Sequence, residues 1–457
     1  LIYFIKKYYK QLLLVLIGFF YLNNTFFFSR WKNHDIINHD VIFYYSYLPA
    51  TFIYHDPTFS FVDSLPQNFE GRIWYLTTEE NKRVPKMSIG VAVLQTPFFL
   101  LAHIFAKIAD IPANGYSWPY EMFIALGTVF YTLLAFWFMM KWLELYFSKP
   151  VIVFTIIAVA FGTNLLHYAT YEVGMSHPYS LFLFALFVWL TEKWHRTNYR
   201  LKFTFLLALV LGLITIVRPV NIIIALLPLL YGVSGFTDLK YQLLDIFGNF
   251  KLIFTAIAGF ILPVSLQLIF WKIGTGHWIY YSYQNEGFFF SHPHIIDGLF
   301  SYRKGWLVYT PIMIFALLGM FFTRKYACEW SINIPLWLMV HIYIIYSWWC
   351  WWYGGSFGSR PMIETYAVLS LPFAAFLSYI GKSCRICKIS FALIFTGLIA
   401  LNIFQTKQYR ITLIHWDSMT KRAYWSVFLQ EQFPPCYDQL IQPPDYGKAL
   451  KGEEEYD

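Results

Sequence analysis

The sequence predicts an all-α polytopic membrane protein with about eleven transmembrane helices and a large first extracytoplasmic loop that carries interfacial helices. Three observations predict this. Only 13% of the 457 residues are charged and 58% are hydrophobic, whereas soluble domains carry about 25% charged residues. The apolar residues fall in runs of about 17–22, the length a helix needs to cross about 30 Å of hydrocarbon. Several short loops between the runs are basic, as cytoplasmic loops are. Soluble domains, disordered tails and secreted disulfide scaffolds are thereby excluded. Five cysteines are too few and too scattered for a disulfide framework, and Cys384 and Cys387 read as a chance pair rather than a zinc or redox site. The net charge of +8 belongs to cytoplasmic helix ends and needs no nucleic acid. Aromatics make up 22% of the chain, and interfacial belts account for most of them.

The first apolar run, Gln11 to Phe28, follows Lys6, Lys7 and Lys10. That flank places the N-terminal end in the cytoplasm, and no small-residue cleavage site follows the run. Residues 29–119 then form the first extracytoplasmic loop. Further spans are expected near 120–141, 150–171, 178–195, 202–217, 220–236, 252–272, 305–323, 332–350, 362–381 and 389–405. The apolar segment 88–109 is settled by parity. If it crossed the bilayer, the basic loops Lys193–Lys202, Arg324–Lys325 and Lys382–Lys388 would all move outside. It is therefore read as an interfacial amphipathic helix broken at Pro97. Residues 1–405 make the transmembrane domain. Residues 406–457 make an extracytoplasmic tail, which contains Trp, Pro and the acidic run Glu453–Glu455.

The residues that could carry chemistry gather in the outer segments. Asp40, a few residues past the first span, is a carboxylate among apolar and aromatic neighbours, where desolvation can raise its pKa towards that of a general base. Tyr44 shares its helical face at i,i+4; the plain alternative for Asp40 is a helix N-cap. Asn81-Lys82-Arg83-Val84-Pro85-Lys86 is a basic cluster on the outer side, against the usual bias. Lys86, heading the next helix, suits a lipid phosphate or bulk anionic headgroups. Glu172 and His177 flank a turn sharpened by Gly174 and Pro178, and read as an acid/base pair or as a solvated turn. With Asp40 they could also hold a divalent cation, Mg or Mn. Arg218, before Pro219, interrupts two apolar helices and calls for an anionic partner. Trp351 to Pro361 is a glycine-rich aromatic turn whose Arg360 can grip a phosphate bidentately.

This plan resembles the family-C (GT-C) polytopic glycosyltransferases that use lipid-phosphate sugars, among them the protein O-mannosyltransferases and the aminoarabinose transferases of lipid A. The resemblance rests on Asp40 with Tyr44 at the start of the first loop, on Asn81–Lys86 leading into the helix at Ile89–Ala109, and on Glu172 and His177 in the next outer turn. It covers roughly residues 1–380. It implies a GT-C fold and a polyprenyl-phosphate sugar as donor substrate. It further implies Asp40, Glu172 and His177 as catalytic groups, and Tyr44, Lys86, Arg218 and Arg360 as groups binding the lipid phosphate or sugar. The family's tandem Asp-Glu is absent from the first loop. The acceptor stays open: glycan, lipid or protein. The implied reaction is a single inverting displacement in which Asp40 takes the acceptor's proton. No P-loop or GxGxxG occurs, which suits a membrane-carried donor, and no nucleic-acid partner is expected. The expected location is a bacterial inner membrane with the active site outside. Two other readings compete. A transporter or lipid flippase would place polar groups at mid-membrane. A non-catalytic scaffold would leave Asp40, Glu172 and Arg360 replaceable.

Overall fold

A computed structural model describes residues 2–65, 73 and 75–453, with side chains from Lys7 onward. The side chain of Lys6, and Glu454 and Glu455 of the acidic run, lie outside the described residues. Helix α1 (Ile2–Phe28) is followed by α2 (Asp40–Tyr45), α3 (Tyr47–Phe52), the antiparallel strands β1 (Leu76–Thr77) and β2 (Arg83–Val84), and α4 (Gly90–Ile108). The chain continues through α5 (Trp118–Leu143), α6 (Lys149–Phe161), α7 (Leu165–Thr170), α8 (Ser176–Arg196) and α9 (Leu201–Val217). Then come α10 (Leu226–Leu229), α11 (Phe236–Gly248), α12 (Phe250–Thr275), α13 (Ile295–Phe300), α14 (Trp306–Tyr309) and α15 (Ile314–Tyr326). The last are α16 (Asn333–Tyr346), α17 (Thr365–Ile380), α18 (Arg385–Arg410), α19 (Lys421–Val427) and α20 (Tyr446–Ala449).

Helices that are apolar all round belong in the middle of a bundle, and α8 and α17 sit there. Every residue of α17 from Thr365 to Leu377 is buried. α17 packs on α6, α8 and α15, while α5 packs on α1, α4 and α8. α12 lies along α9. Small residues let these backbones close up, as they do between membrane helices. A Cβ on Gly319 of α15 would meet the Pro372 carbonyl oxygen at 1.8 Å. On Gly259 of α12 it would meet the Phe205 carbonyl oxygen at 2.6 Å.

Among the described residues, six helices are long and apolar enough to cross a membrane: 7–33, 90–108, 118–143, 250–275, 328–346 and 385–410. Eleven were expected, and several of the expected spans are interrupted. The stretch 150–171 divides at Gly162 into α6 and α7, and 305–323 divides between α14 and α15 at Thr310-Pro311. The stretch 220–236 holds a 3-10 turn, Pro219–Ala225, and the four residues of α10. The expected break at Pro97 is absent. Proline removes one helical hydrogen bond, and α4, 19 residues in all, continues through it to Ile108. α4 runs beside the first half of α5: the Tyr131 hydroxyl donates to the Leu94 carbonyl (2.7 Å), and Phe105 meets Trp118 edge-on.

The end of α8 remote from the site is fixed by one carboxylate. Glu192 is fully buried and accepts from the Tyr146 hydroxyl (2.7 Å), the Tyr231 hydroxyl (3.0 Å), Trp330 Nε1 (2.8 Å) and Arg196 Nε (2.5 Å). Trp142 Nε1 lies at 3.4 Å. The carboxylate thus ties α5, α8 and the loops before α11 and α16 together. Each buried donor left without a partner costs about 1–3 kcal/mol. Glu192→Leu is therefore expected to lower the thermal midpoint of the detergent-purified protein by many degrees, while Glu192→Gln, which keeps an acceptor, lowers it less. Equal midpoints for wild type and Glu192→Leu would contradict this role.

Candidate functional site

Two backbone constraints bring the charged groups together. Arg218 precedes a proline, and that residue is driven out of the helical region. Its backbone is extended (φ −150°, ψ 108°), so α9 stops and the side chain turns inward. His39 carries a positive φ of 49° and starts α2, whose first residue is Asp40. Non-glycine residues held at positive φ cluster at functional sites.

Asp40 Oδ2 forms an ion pair with Arg360 Nη2 at 2.8 Å. Arg360 is delivered by the 351–361 turn, which uses positive φ at Tyr353, Gly354 and Gly358. Buried polar bonds fix that turn. The Phe357 N–H donates to the Tyr168 hydroxyl (2.9 Å), and Asn164 Nδ2 donates to the Phe357 carbonyl (3.1 Å). The Tyr366 hydroxyl holds Asn164 Oδ1 at 2.7 Å. One turn after Asp40, the Tyr44 hydroxyl lies 3.1 Å from Ser176 Oγ.

Arg218 Nη1 donates to Glu364 Oε1 (3.1 Å) and lies 2.8 Å from His177 Nδ1. His177 Nδ1 is also 3.1 Å from Glu364 Oε2. A guanidinium always presents hydrogens, so Nδ1 is assigned as the acceptor and the imidazole proton to Nε2. Asn221 Nδ2 donates to Glu364 Oε1 at 3.3 Å. Glu364 is fully buried and lies just before α17.

Lys86 forms an ion pair with Glu286 and lies 5.6 Å over the Tyr283 ring. It stands four residues before α4. Asp40, Tyr44, Lys86, His177, Arg218 and Arg360 all border one cavity of about 480 Å³, within the size range of small-molecule sites. Aromatic and apolar groups, among them Trp271, Ile279, Tyr283, Trp348, Trp349 and Tyr446, complete its wall.

Glu172 is placed elsewhere. Its Oε2 lies 3.5 Å from His167 Nε2, and it does not border the cavity. Asp40, Glu172 and His177 thus answer to three different partners. Among the described residues no three metal-ligating side chains converge, so this trio does not fit a shell for Mg or Mn. Sequence reasoning missed Glu364, Glu286 and Tyr446. Glu364 did leave a signal: an acid at the head of an apolar helix, four residues past Arg360.

No protein-family model and no curated protein matches the chain. Among solved structures, it is similar to the archaeal oligosaccharyltransferase AglB from Archaeoglobus fulgidus, determined with an inhibitory peptide and a dolichol-phosphate. The TM-score is 0.52 at 13% identity, over 95% of this chain and 59% of that one. A second structure of an Archaeoglobus fulgidus oligosaccharyltransferase, tethered to an acceptor peptide, gives a TM-score of 0.48 at 12% identity, over 99% and 60% of the two chains. The first likeness is one of fold; this chain spans about three-fifths of that protein's length.

Removing one partner of a buried ion pair costs up to about 3–5 kcal/mol, whereas apolar replacement of both is often neutral. Glu364→Leu is expected to destabilise the protein towards the low end of that range, because Arg218 borders the cavity and can hydrate. Glu364→Leu combined with Arg218→Met should recover most of the loss. Thermal midpoints of the purified variants test this, and a double variant no more stable than Glu364→Leu would contradict it.

Proposed function

We propose that the chain is a membrane glycosyltransferase that moves a sugar from a polyprenyl-phosphate carrier to an acceptor hydroxyl or phosphate, on the extracytoplasmic side of a bacterial inner membrane. One observation carries the reading: a single cavity brings Asp40 together with three cations, Lys86, Arg218 and Arg360, beside an apolar aromatic wall. A carboxylate supplies a base, cations suit a phosphate, and apolar walls suit a prenyl chain. The fold likeness to a protein whose structure holds a dolichol-phosphate points the same way. The basic loops Lys193–Lys202 and Lys382–Lys388 motivate the sidedness. The reading groups the chain with enzymes such as the protein O-mannosyltransferases and the aminoarabinose transferases, and leaves glycan, lipid or protein as acceptor.

The proposed step, written for a hydroxyl acceptor, is one displacement. The hydroxyl oxygen attacks the anomeric carbon from the face opposite the phosphate, and the new C–O bond forms as the C–O bond to phosphate breaks. The bonding pair leaves with the phosphate, and the hydroxyl proton passes to Asp40. Arg360 occupies Oδ2 of Asp40, which leaves Oδ1 to receive that proton. Arg218 and Arg360 stabilise the charge that develops on the departing phosphate. His177 and Glu364 act through Arg218, which they hold in place. Glu172, off the cavity wall, receives no role.

A positioned base contributes about 10²–10⁴ in rate. Purified protein incubated with polyprenyl-phosphate sugars and a membrane extract should release free polyprenyl phosphate, read by mass spectrometry. Asp40→Asn should cut that release by about 10²–10⁴-fold. Undiminished release would remove Asp40 from the base role. No release from any donor would sink the glycosyltransferase reading itself.

A further inference from the structure

The chain beyond α18 folds back over the 351–361 turn and reaches the cavity. Two consecutive buried cations pin it. Lys304 Nζ donates to the carbonyls of Ser356 and Trp416, and Arg303 Nη1 donates to the Asp417 carbonyl at 3.0 Å. The Ser356 N–H also donates to the Trp416 carbonyl at 3.0 Å. The turn that presents Arg360 and the first part of the tail are therefore one rigid piece.

From this piece Asp417 reaches further along the tail. Its Oδ2 accepts from the Tyr446 hydroxyl at 3.2 Å. Its Oδ1 accepts from the Ser418 hydroxyl (2.6 Å) and lies 3.3 Å from His415 Nδ1. The Tyr446 ring meets Trp352 and Trp349 edge-on, with centroids 5.4 and 6.3 Å apart. Tyr446 and Trp349 both border the cavity. Tyr446 is 39% exposed.

The rest of the wall divides by chemistry. Lys86, Arg218 and Arg360 suit a phosphate. Trp271 and Ile279 give the wall apolar surface that suits a prenyl chain. Trp349 and Tyr446 offer aromatic faces, and the Tyr446 hydroxyl, which gives its hydrogen to Asp417, keeps an oxygen lone pair free to accept. That combination fits a sugar ring, whose C–H face packs on aromatic carbon while one of its hydroxyls donates to the Tyr446 oxygen. Trp349 and Tyr446 line the same cavity as Arg218, Arg360 and Lys86. A sugar bonded to the phosphate has to lie next to them.

We propose that Tyr446 and Trp349 form the sugar subsite of the cavity, with Asp417 as the positioning residue that orients Tyr446, so that the C-terminal tail selects the sugar. This rests on the polyprenyl-phosphate sugar reading above.

The test is binding to purified full-length protein in nanodiscs, followed by intrinsic fluorescence. The probes are bare undecaprenyl phosphate and undecaprenyl phosphates carrying glucose, mannose or aminoarabinose. For the best sugar, the wild type should bind the sugar-bearing probe at least about tenfold more tightly than the bare one, a difference of about 1.4 kcal/mol. Tyr446→Ala should erase that preference and leave bare-probe affinity within about twofold, which also reports an intact fold. Asp417→Asn should shrink the preference, and Tyr446→Phe should retain the larger part of it. A full preference in Tyr446→Ala overturns the proposal. So does an equal loss of affinity for both probes, which is the mark of a merely structural residue. Equal binding of bare and sugar-bearing probes by the wild type overturns the subsite but leaves a lipid-phosphate site standing. Binding of neither probe overturns the donor reading and the subsite together.

Discussion

An ionised group surrounded by apolar structure has to find its opposite charge, and this constraint organises the site. An unpaired arginine at membrane depth costs at least about 2.5–3.5 kcal/mol. Three ion pairs meet the requirement: Asp40 with Arg360, Arg218 with Glu364, and Lys86 with Glu286. No pair is local in sequence, so satisfying all three brings the first loop, the end of α9, the loop after α12 and the 351–361 turn to one place. The interruptions of the apolar helices follow from this. α9 ends at Val217 because the next residue has to leave the helix and reach Glu364. α17 begins at Thr365 because Glu364 stays in the turn, where it faces Arg218 and His177.

The sequence made the polar side of these pairs legible more readily than their partners. An arginine before a proline between two apolar runs, an arginine in a glycine-rich turn, and an aspartate and a lysine flanking the first loop all stand out against an apolar background. Asp40, Tyr44, Lys86, His177, Arg218 and Arg360 do border one cavity. Glu172 stood out for the same reason and lies elsewhere, because one turn of chain sets it against His167. Glu286 escaped notice because a pairing across 200 residues has no local signature, and the position of Glu364 at the head of an apolar helix marked the residue without pointing to its partner, 146 residues away. The helix pattern was legible where a run is long and uninterrupted, as in α1, α5, α12 and α18. It misled where proline and glycine were weighed by local rules. Pro97 is accommodated inside α4, whereas Gly162 and Pro311 mark real interruptions.

The aromatic residues show a second limit of reading composition. Interfacial belts explain rings at a lipid surface, and Trp278 and Phe290 are exposed as such a surface requires. Tyr168, Tyr346 and Tyr366 are fully buried instead, and each spends its hydroxyl on or beside the 351–361 turn. A buried hydroxyl that finds a partner rigidifies its surroundings. These tyrosines turn a flexible glycine-rich segment into a fixed mount for Arg360, a preorganisation that electrostatic catalysis depends on.

The proposed reaction also has a consistent charge history. Around the cavity, Lys86, Arg218 and Arg360 are balanced by Glu286, Glu364 and Asp40, and His177 is assigned as neutral. A sugar phosphodiester brings one further negative charge. When the glycosidic bond to phosphate breaks, the phosphate gains a second negative charge while the acceptor proton neutralises Asp40. The total around the site does not change; one negative charge passes from Asp40 to the phosphate. Arg360, 2.8 Å from Asp40 beforehand, then needs a new anion, and the departing phosphate supplies it. The arginine that restrains the base in the resting protein is thereby the group best placed to stabilise the leaving group as the base takes its proton. This is why the pairing of Asp40 with Arg360, rather than either residue alone, carries the mechanistic reading.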